Sequence, residues 1–213
     1  MNSGNRVEII IALLLGFTLA AQAGAGTTKD QSNACANGSG VSAINACTLV
    51  IRSGRRPQPD VEWAFVYRGE AYDNVGQYAR AIQDFNEAIL LKPQDAEAFN
   101  GRGAAHDELG QYSLAIQDYS EAIRLKPDYA RAFNNRGKAY NDFGQYARAL
   151  RDLGVAIQLK PDYAVAFLNR GNAYFGLGQY ARAIRDYDEA IRFKPDFALA
   201  LKNRDDARKR LAK

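Results

Sequence analysis

Few residues in this chain have the type and spacing to do chemistry. The single histidine, His106, could serve as a general base only with a second titratable group within hydrogen-bond reach. Two cysteines, Cys35 and Cys47, offer a reactive thiol, half of a zinc shell or one disulfide. With no histidine near them they cannot complete a tetrahedral zinc site, so one structural disulfide is the natural reading. Four aspartates, Asp84, Asp118, Asp152 and Asp186, recur at even spacing. Each follows an arginine at a fixed offset, Arg68, Arg102, Arg136 and Arg170, which reads as a column of structural ion pairs. Arg204 continues the arginine column with no later aspartate, so each aspartate is expected to bridge forward, Asp152 to Arg170 and Asp186 to Arg204. No glycine-rich phosphate loop follows a strand. The expectation is a protein with no catalytic residues, no metal site and no cofactor.

The elements that position these residues are repeats. Pro59, Pro93, Pro127, Pro161 and Pro195 are each 34 residues apart. In step with them run Phe65, Phe99, Phe133 and Phe167, then Gly69, Gly103, Gly137 and Gly171, then Gly76, Gly110, Gly144 and Gly178. Within one period Phe65, Gly69 and Tyr72 recur at helical spacing, Gly76 breaks the chain, and Ala81, Phe85 and Ala88 recur helically up to the Lys92-Pro93 stop. Each period is therefore a helical hairpin, with glycine suited to the tip and proline to the link.

The period and the pattern Phe-x-x-Arg-Gly-x-x-Tyr, followed by alanine, an aromatic, alanine and proline, resemble the tetratricopeptide repeat family over Glu62 to Phe197. Departures are His106 for the tyrosine of the second copy, Leu153 for the aromatic of the third, and arginine for the usual leucine before the glycine. The fold expected is all-α, a right-handed α-solenoid of four 34-residue hairpins at residues 62–95, 96–129, 130–163 and 164–197. An N-terminal half-repeat lies within residues 24–61: Ala43-Ile44 aligns with Ala81-Ile82, which puts Cys47 on the aromatic column. Residues 198–213 form a basic capping helix.

Residues 1–23 read as a signal peptide. Arg6 flanks an apolar run from Ile9 to Ala20, and Ala21-Gln22-Ala23 offers a small-x-small cleavage pattern. The run is short for a membrane span, and an uncleaved anchor is the alternative. The look of this signal, and the resemblance of the Ala46-Cys47-Thr48 half-repeat to exported bacterial relatives, imply a periplasmic or secreted bacterial protein. The formal charge of +4 comes wholly from residues 201–213, where six basic residues face two acids. A terminal basic helix without an aromatic platform does not suggest nucleic acid.

In the family, the first helix of each hairpin lines a concave surface that holds a peptide. The resemblance places Trp63, Val66, Glu70, Asp73 and Asn74 there from the first repeat, and Glu97, Asn100, Asp107 and Glu108 from the second. Arg131, Asn134, Lys138, Asn141 and Asp142 come from the third, and Val165, Leu168, Asn172 and Phe175 from the fourth. Apolar side chains sit at both ends and asparagines in the middle, and six acids face two bases, which predicts a preference for neutral or basic polypeptide. Members that grip a C-terminal carboxylate use lysine where this chain has Val66, Asn100, Asn134 and Leu168, so that specialised function is not implied. The function expected is a scaffold or adaptor for a protein or peptide partner, with self-association into a homo-oligomer through the terminal apolar faces as the alternative.

Overall fold

The computed structural model describes residues 30–53 and 61–212. The expected signal segment, its cleavage point and most of the turn before the first repeat lie outside the described residues. The described chain is helical, with no strand. Residues 30–37 form α1, followed by α2 (Gly40–Arg52), α3 (Glu62–Asn74), α4 (Tyr78–Leu91), α5 (Ala96–Glu108), α6 (Tyr112–Leu125), α7 (Ala130–Asp142), α8 (Tyr146–Leu159), α9 (Ala164–Gly176), α10 (Tyr180–Phe193) and α11 (Ala198–Leu211). No described helix is long and apolar enough to cross a membrane.

Local sequence sets each boundary. At the tip of the first hairpin Gly76 takes φ +75°, which only glycine adopts without strain. Its N–H donates to the Asp73 carbonyl at 2.9 Å, and that of Gln77 reaches back to Tyr72 at 2.8 Å. This pair of bonds closes the exposed carbonyls of α3, and it recurs at Gly110, Gly144 and Gly178. At the other end Lys92, held extended before Pro93, makes the last helical bond, to Ala88.

The hairpins close over small residues. Ala81, Ala88, Ala115, Ala122, Ala149, Ala156, Ala183 and Ala190 are fully buried. A Cβ on Gly171 would stand 2.6 Å from a ring carbon of Tyr187, so glycine is what allows the large residue of the second helix to lie against the first. Leu153, on that same aromatic column, is equally buried. Successive helices pack in order, and the first helices also touch one another, α3 with α5, α5 with α7, α7 with α9 and α9 with α11. The second helices have no such mutual contacts. The first helices therefore line the inner face of an all-α helical solenoid.

The ion pairs differ from the forward-bridging expectation. Each arginine forks the aspartate of its own hairpin: Arg68 to Asp84 with both bonds at 2.7 Å, Arg102 to Asp118 at 3.0 and 2.6 Å, Arg136 to Asp152 at 2.7 and 2.9 Å, and Arg170 to Asp186 with both at 2.8 Å. Asp152 and Asp186 do not reach Arg170 and Arg204. The aspartate faces its own first helix, and the contact between units falls to the residue two places further along. Nη1 of Arg102 donates to Asn86 at 2.7 Å, that of Arg136 to Ser120 at 3.0 Å, and that of Arg204 to Asp188 at 3.2 Å. Gly154 holds this place before Arg170, which makes no such bond to a described residue. The four forked guanidinium groups also lie 5.3 to 5.7 Å above the rings of Phe65, Phe99, Phe133 and Phe167.

At the N-terminal end a disulfide joins Cys35 of α1 to Cys47 of α2. Trp63, Ala64, Val50 and Ile51 pack around it. Thr48, next to Cys47, accepts from Arg68 at 3.0 Å, just as Asn86 accepts from Arg102.

Candidate peptide-binding groove

His106 is half-buried on the first helix of the second repeat. Its Nδ1 lies 2.6 Å from Gln111 Oε1 and its Nε2 lies 3.8 Å from Asp118. In the other repeats this position is tyrosine with an arginine over its ring, Arg80 on Tyr72, Arg148 on Tyr140 and Arg182 on Tyr174, and that arginine also holds Gln77, Gln145 or Gln179. The second repeat has Leu114 in place of the arginine, so Gln111 pairs with the histidine instead. The tyrosine and the arginine are exchanged as one unit.

On the inner face, the sequence-expected residues fall into separate groups. Glu70, Asp73, Asn74, Asn100 and Arg131 meet around one cavity of about 310 Å³, completed by Phe85, Gly101, Ala104 and Asn135. Burial lifts the carboxyls of Glu70 and Asp73 above the usual carboxylate range. The charges of Glu97 and Asp73 add to this at Glu70, against Arg131, and that of Glu108 adds to it at Asp73. Asp73 Oδ1 is shielded from solvent and accepts from no described residue. Arg131 is anchored by the Tyr129 hydroxyl at 3.1 and 2.6 Å, with Glu70 and Glu97 near enough to help hold it charged.

Lys138 bridges Asp107 at 2.7 Å and Asp142 at 3.1 Å. Those two carboxylates push the ammonium pKa well up. Asn100 and Asn134, each 3% exposed, are less free than the sequence suggests. Asn135 Nδ2 donates to Asn100 Oδ1 at 3.1 Å, Asn134 Nδ2 to Asn135 Oδ1 at 3.1 Å, and Asn169 Nδ2 to Asn134 Oδ1 at 3.0 Å. This ladder ties three first helices together. Asn141 donates to the Asn169 carbonyl at 2.8 Å, and Asn172 Oδ1 accepts from both Tyr187 and Asn203 at 2.9 Å.

Among the apolar positions, Val66 and Leu168 are buried and Val165 is exposed. Trp63 joins the disulfide cluster, and Phe175 lies edge-on to Tyr180. The residues that sequence reasoning missed are Asn135, Asn169 and Asn203. Their signal was present, since they recur 34 residues apart in a column that carries Tyr67 and Gly101 in the first two repeats.

The family model described as "TPR repeat" matches residues 69–110, 108–142 and 137–178, and the one described as "Tetratricopeptide repeat" matches residues 164–197. Among solved structures, a tetratricopeptide repeat protein from Parabacteroides merdae has a TM-score of 0.73 at 19% identity, covering 90% of this chain and 75% of its own. MamA has a TM-score of 0.62 at 25% identity, with 74% of this chain and 90% of its own covered. The first TPR of Spaghetti (RPAP3), bound to the HSP90 peptide SRMEEVD, has a TM-score of 0.55 at 27% identity, with 56% and 95% covered. No curated protein sequence matches the chain.

Proposed function

The chain belongs to the tetratricopeptide repeat family, and on that premise we propose that it is a non-enzymatic scaffold that holds an extended polypeptide of neutral or basic character along the inner face of its first helices. The observation that carries this reading is the open cavity between α3, α5 and α7, where carboxyl groups outnumber cations and Asp73 Oδ1 has no partner. RPAP3 takes an HSP90 peptide, which supports peptide binding on this fold. The acidic inner face and the buried, uncharged Val66, Asn100, Asn134 and Leu168 favour the opposite charge preference from that of a carboxylate-gripping groove. Calorimetric titration of the chain with a basic nonapeptide and its acidic charge-reversed counterpart should show tighter binding of the basic one. Tighter binding of the acidic peptide would sink the reading.

The scaffold acts in an exported bacterial compartment, with its signal segment removed and its disulfide intact. A mature N-terminus near Gly24, read by mass spectrometry of protein from a bacterial envelope fraction, is the expected result. An intact Met1 start would overturn the cleavage.

A second reading is self-association, favoured by apolar side chains exposed at both ends of the solenoid, Val41 and Leu49 on α2 and Leu199 and Leu211 on α11. It requires a mass in solution that rises with concentration in light scattering. A constant monomer mass leaves the first reading alone.

A further inference from the structure

Tyr119 and Tyr187 occupy the same position in their repeats, each about 1% exposed, but only one of them is satisfied. The Tyr187 hydroxyl donates to Asn172 at 2.9 Å. The position equivalent to Asn172 in the second repeat is Ala104, which cannot accept a hydrogen bond and which lines the cavity between the first and second repeats. The Tyr119 hydroxyl bonds to no described residue, so its donor and acceptor are free for a ligand. Since the Tyr187 hydroxyl reaches position 172, the Tyr119 hydroxyl on the same column points toward Ala104 and so toward the cavity that Ala104 lines with Glu70 and Asp73. Two carboxylates nearby each have one oxygen, Asp73 Oδ1 and Asp107 Oδ1, that is shielded from solvent and accepts from no described residue.

The cavity exists because two columns carry their smallest members here. Gly101 replaces the asparagine found at positions 135, 169 and 203, and a Cβ there would stand 2.4 Å from the Phe85 ring. The Phe85 ring, fully buried, fills the space that a side chain there would take, and Glu70 and Asp73 form an acidic rim around the cavity that remains. A small cavity that offers carboxylates and a phenol matches the chemistry of a cationic head on a long, flexible stem, as in a basic side chain. No group of described residues has the ligands for a metal ion.

We propose that this cavity is the anchoring subsite of the groove, taking one lysine or arginine side chain of the bound polypeptide, with its cation between Asp73 and the hydroxyl of Tyr119. The inference rests on the peptide-binding reading above and specifies which side chain that reading needs. The inner face elsewhere lacks an equivalent, because the asparagine ladder and Asn172 fill the corresponding places.

The test uses acetylated hexapeptides of alanine and asparagine carrying one lysine, arginine, norleucine or glutamate, with spermidine as a free cation, titrated into the full chain. Lysine or arginine peptides should bind at least about tenfold tighter than the norleucine peptide, as expected for roughly one charge-assisted contact. Asp73→Asn and Ala104→Asn should each abolish that preference. Ala104→Asn supplies Tyr119 with the partner that Tyr187 has. Both variants should melt no lower than the wild type, which separates loss of the preference from loss of the fold. Equal binding of lysine and norleucine peptides would overturn the subsite while leaving the groove in place. A preference that survives both variants, or tight spermidine binding without any preference among peptides, would also overturn it. Failure of every peptide to bind would overturn the groove as well.

Discussion

The arginine spine and the inner groove are built on the same 34-residue period, yet one is nearly invariant and the other changes at every step. In the spine, arginine, phenylalanine and aspartate recur four times with nearly the same geometry. In the groove, the position of Glu70 is occupied in later repeats by Ala104, Lys138 and Asn172. A column that repeats must satisfy a contact present in every hairpin, so it reports packing. A column that varies is released from that contact, and its chemistry is available for a ligand.

The comparison breaks most easily at the spine. Asp152→Ala leaves the Arg136 guanidinium largely buried without its carboxylate, an uncompensated charge expected to cost about 3 to 5 kcal/mol. Urea unfolding should show that loss, while alanine at Asp73 leaves stability near wild type. Comparable losses at the two aspartates would erase the distinction. The next effect lies at the N-terminal end, where the spine's first arginine borrows Thr48 from α2 and the Cys35–Cys47 bridge ties α1 to α2. Replacing both cysteines with serine should cost about 2 to 3 kcal/mol, from the short loop released. An unchanged melting temperature would show that α2 is held by packing alone.

The spine was readable from sequence as residue types but not as partners. A fixed offset between arginine and aspartate says that they pair, yet it fits a bond within a hairpin as well as one across to the next. What decides is the direction of each side chain on its helix. The helices and their glycine tips were readable because each depends on local spacing, and the disulfide because the chain has only two cysteines and no histidine near them. The groove was readable as a set of positions but not as a site. Asn100 and Asn134 look free in the sequence, whereas Asn135 and Asn169 consume part of their hydrogen-bonding capacity. The cavity was hidden because it is made by what Gly101 and Ala104 lack, and a missing side chain carries no positive signal.

A smaller effect sharpens the rule for the spine. Gly154 stands where Asn86, Ser120 and Asp188 accept from the following arginine, and a Cβ there would meet nothing within 4 Å. Gly154→Ser should add about 1 kcal/mol, from helix propensity and one recovered hydrogen bond to Arg170. A serine that fell short of alanine by the full difference in their helix propensities, about 0.5 kcal/mol, would show that the acceptor column contributes nothing to stability.

The smallest effect tests whether Asp73 belongs to the groove class. Burial raises its carboxyl above the ordinary value of 3.8, so the folded state disfavours the ionised form. That penalty is absent below the ordinary value and complete above the raised one, and stability attributable to Asp73 therefore falls as pH rises through that window. Asp73→Asn removes the penalty and should leave the chain as stable as wild type or more stable at neutral pH, by no more than about 0.5 kcal/mol. The difference should vanish near about pH 3, where both side chains are neutral. A variant less stable at neutral pH would mean that the Asp73 carboxylate supports the fold, and Asp73 would then have to be counted with Asp84 and Asp152 as part of the spine.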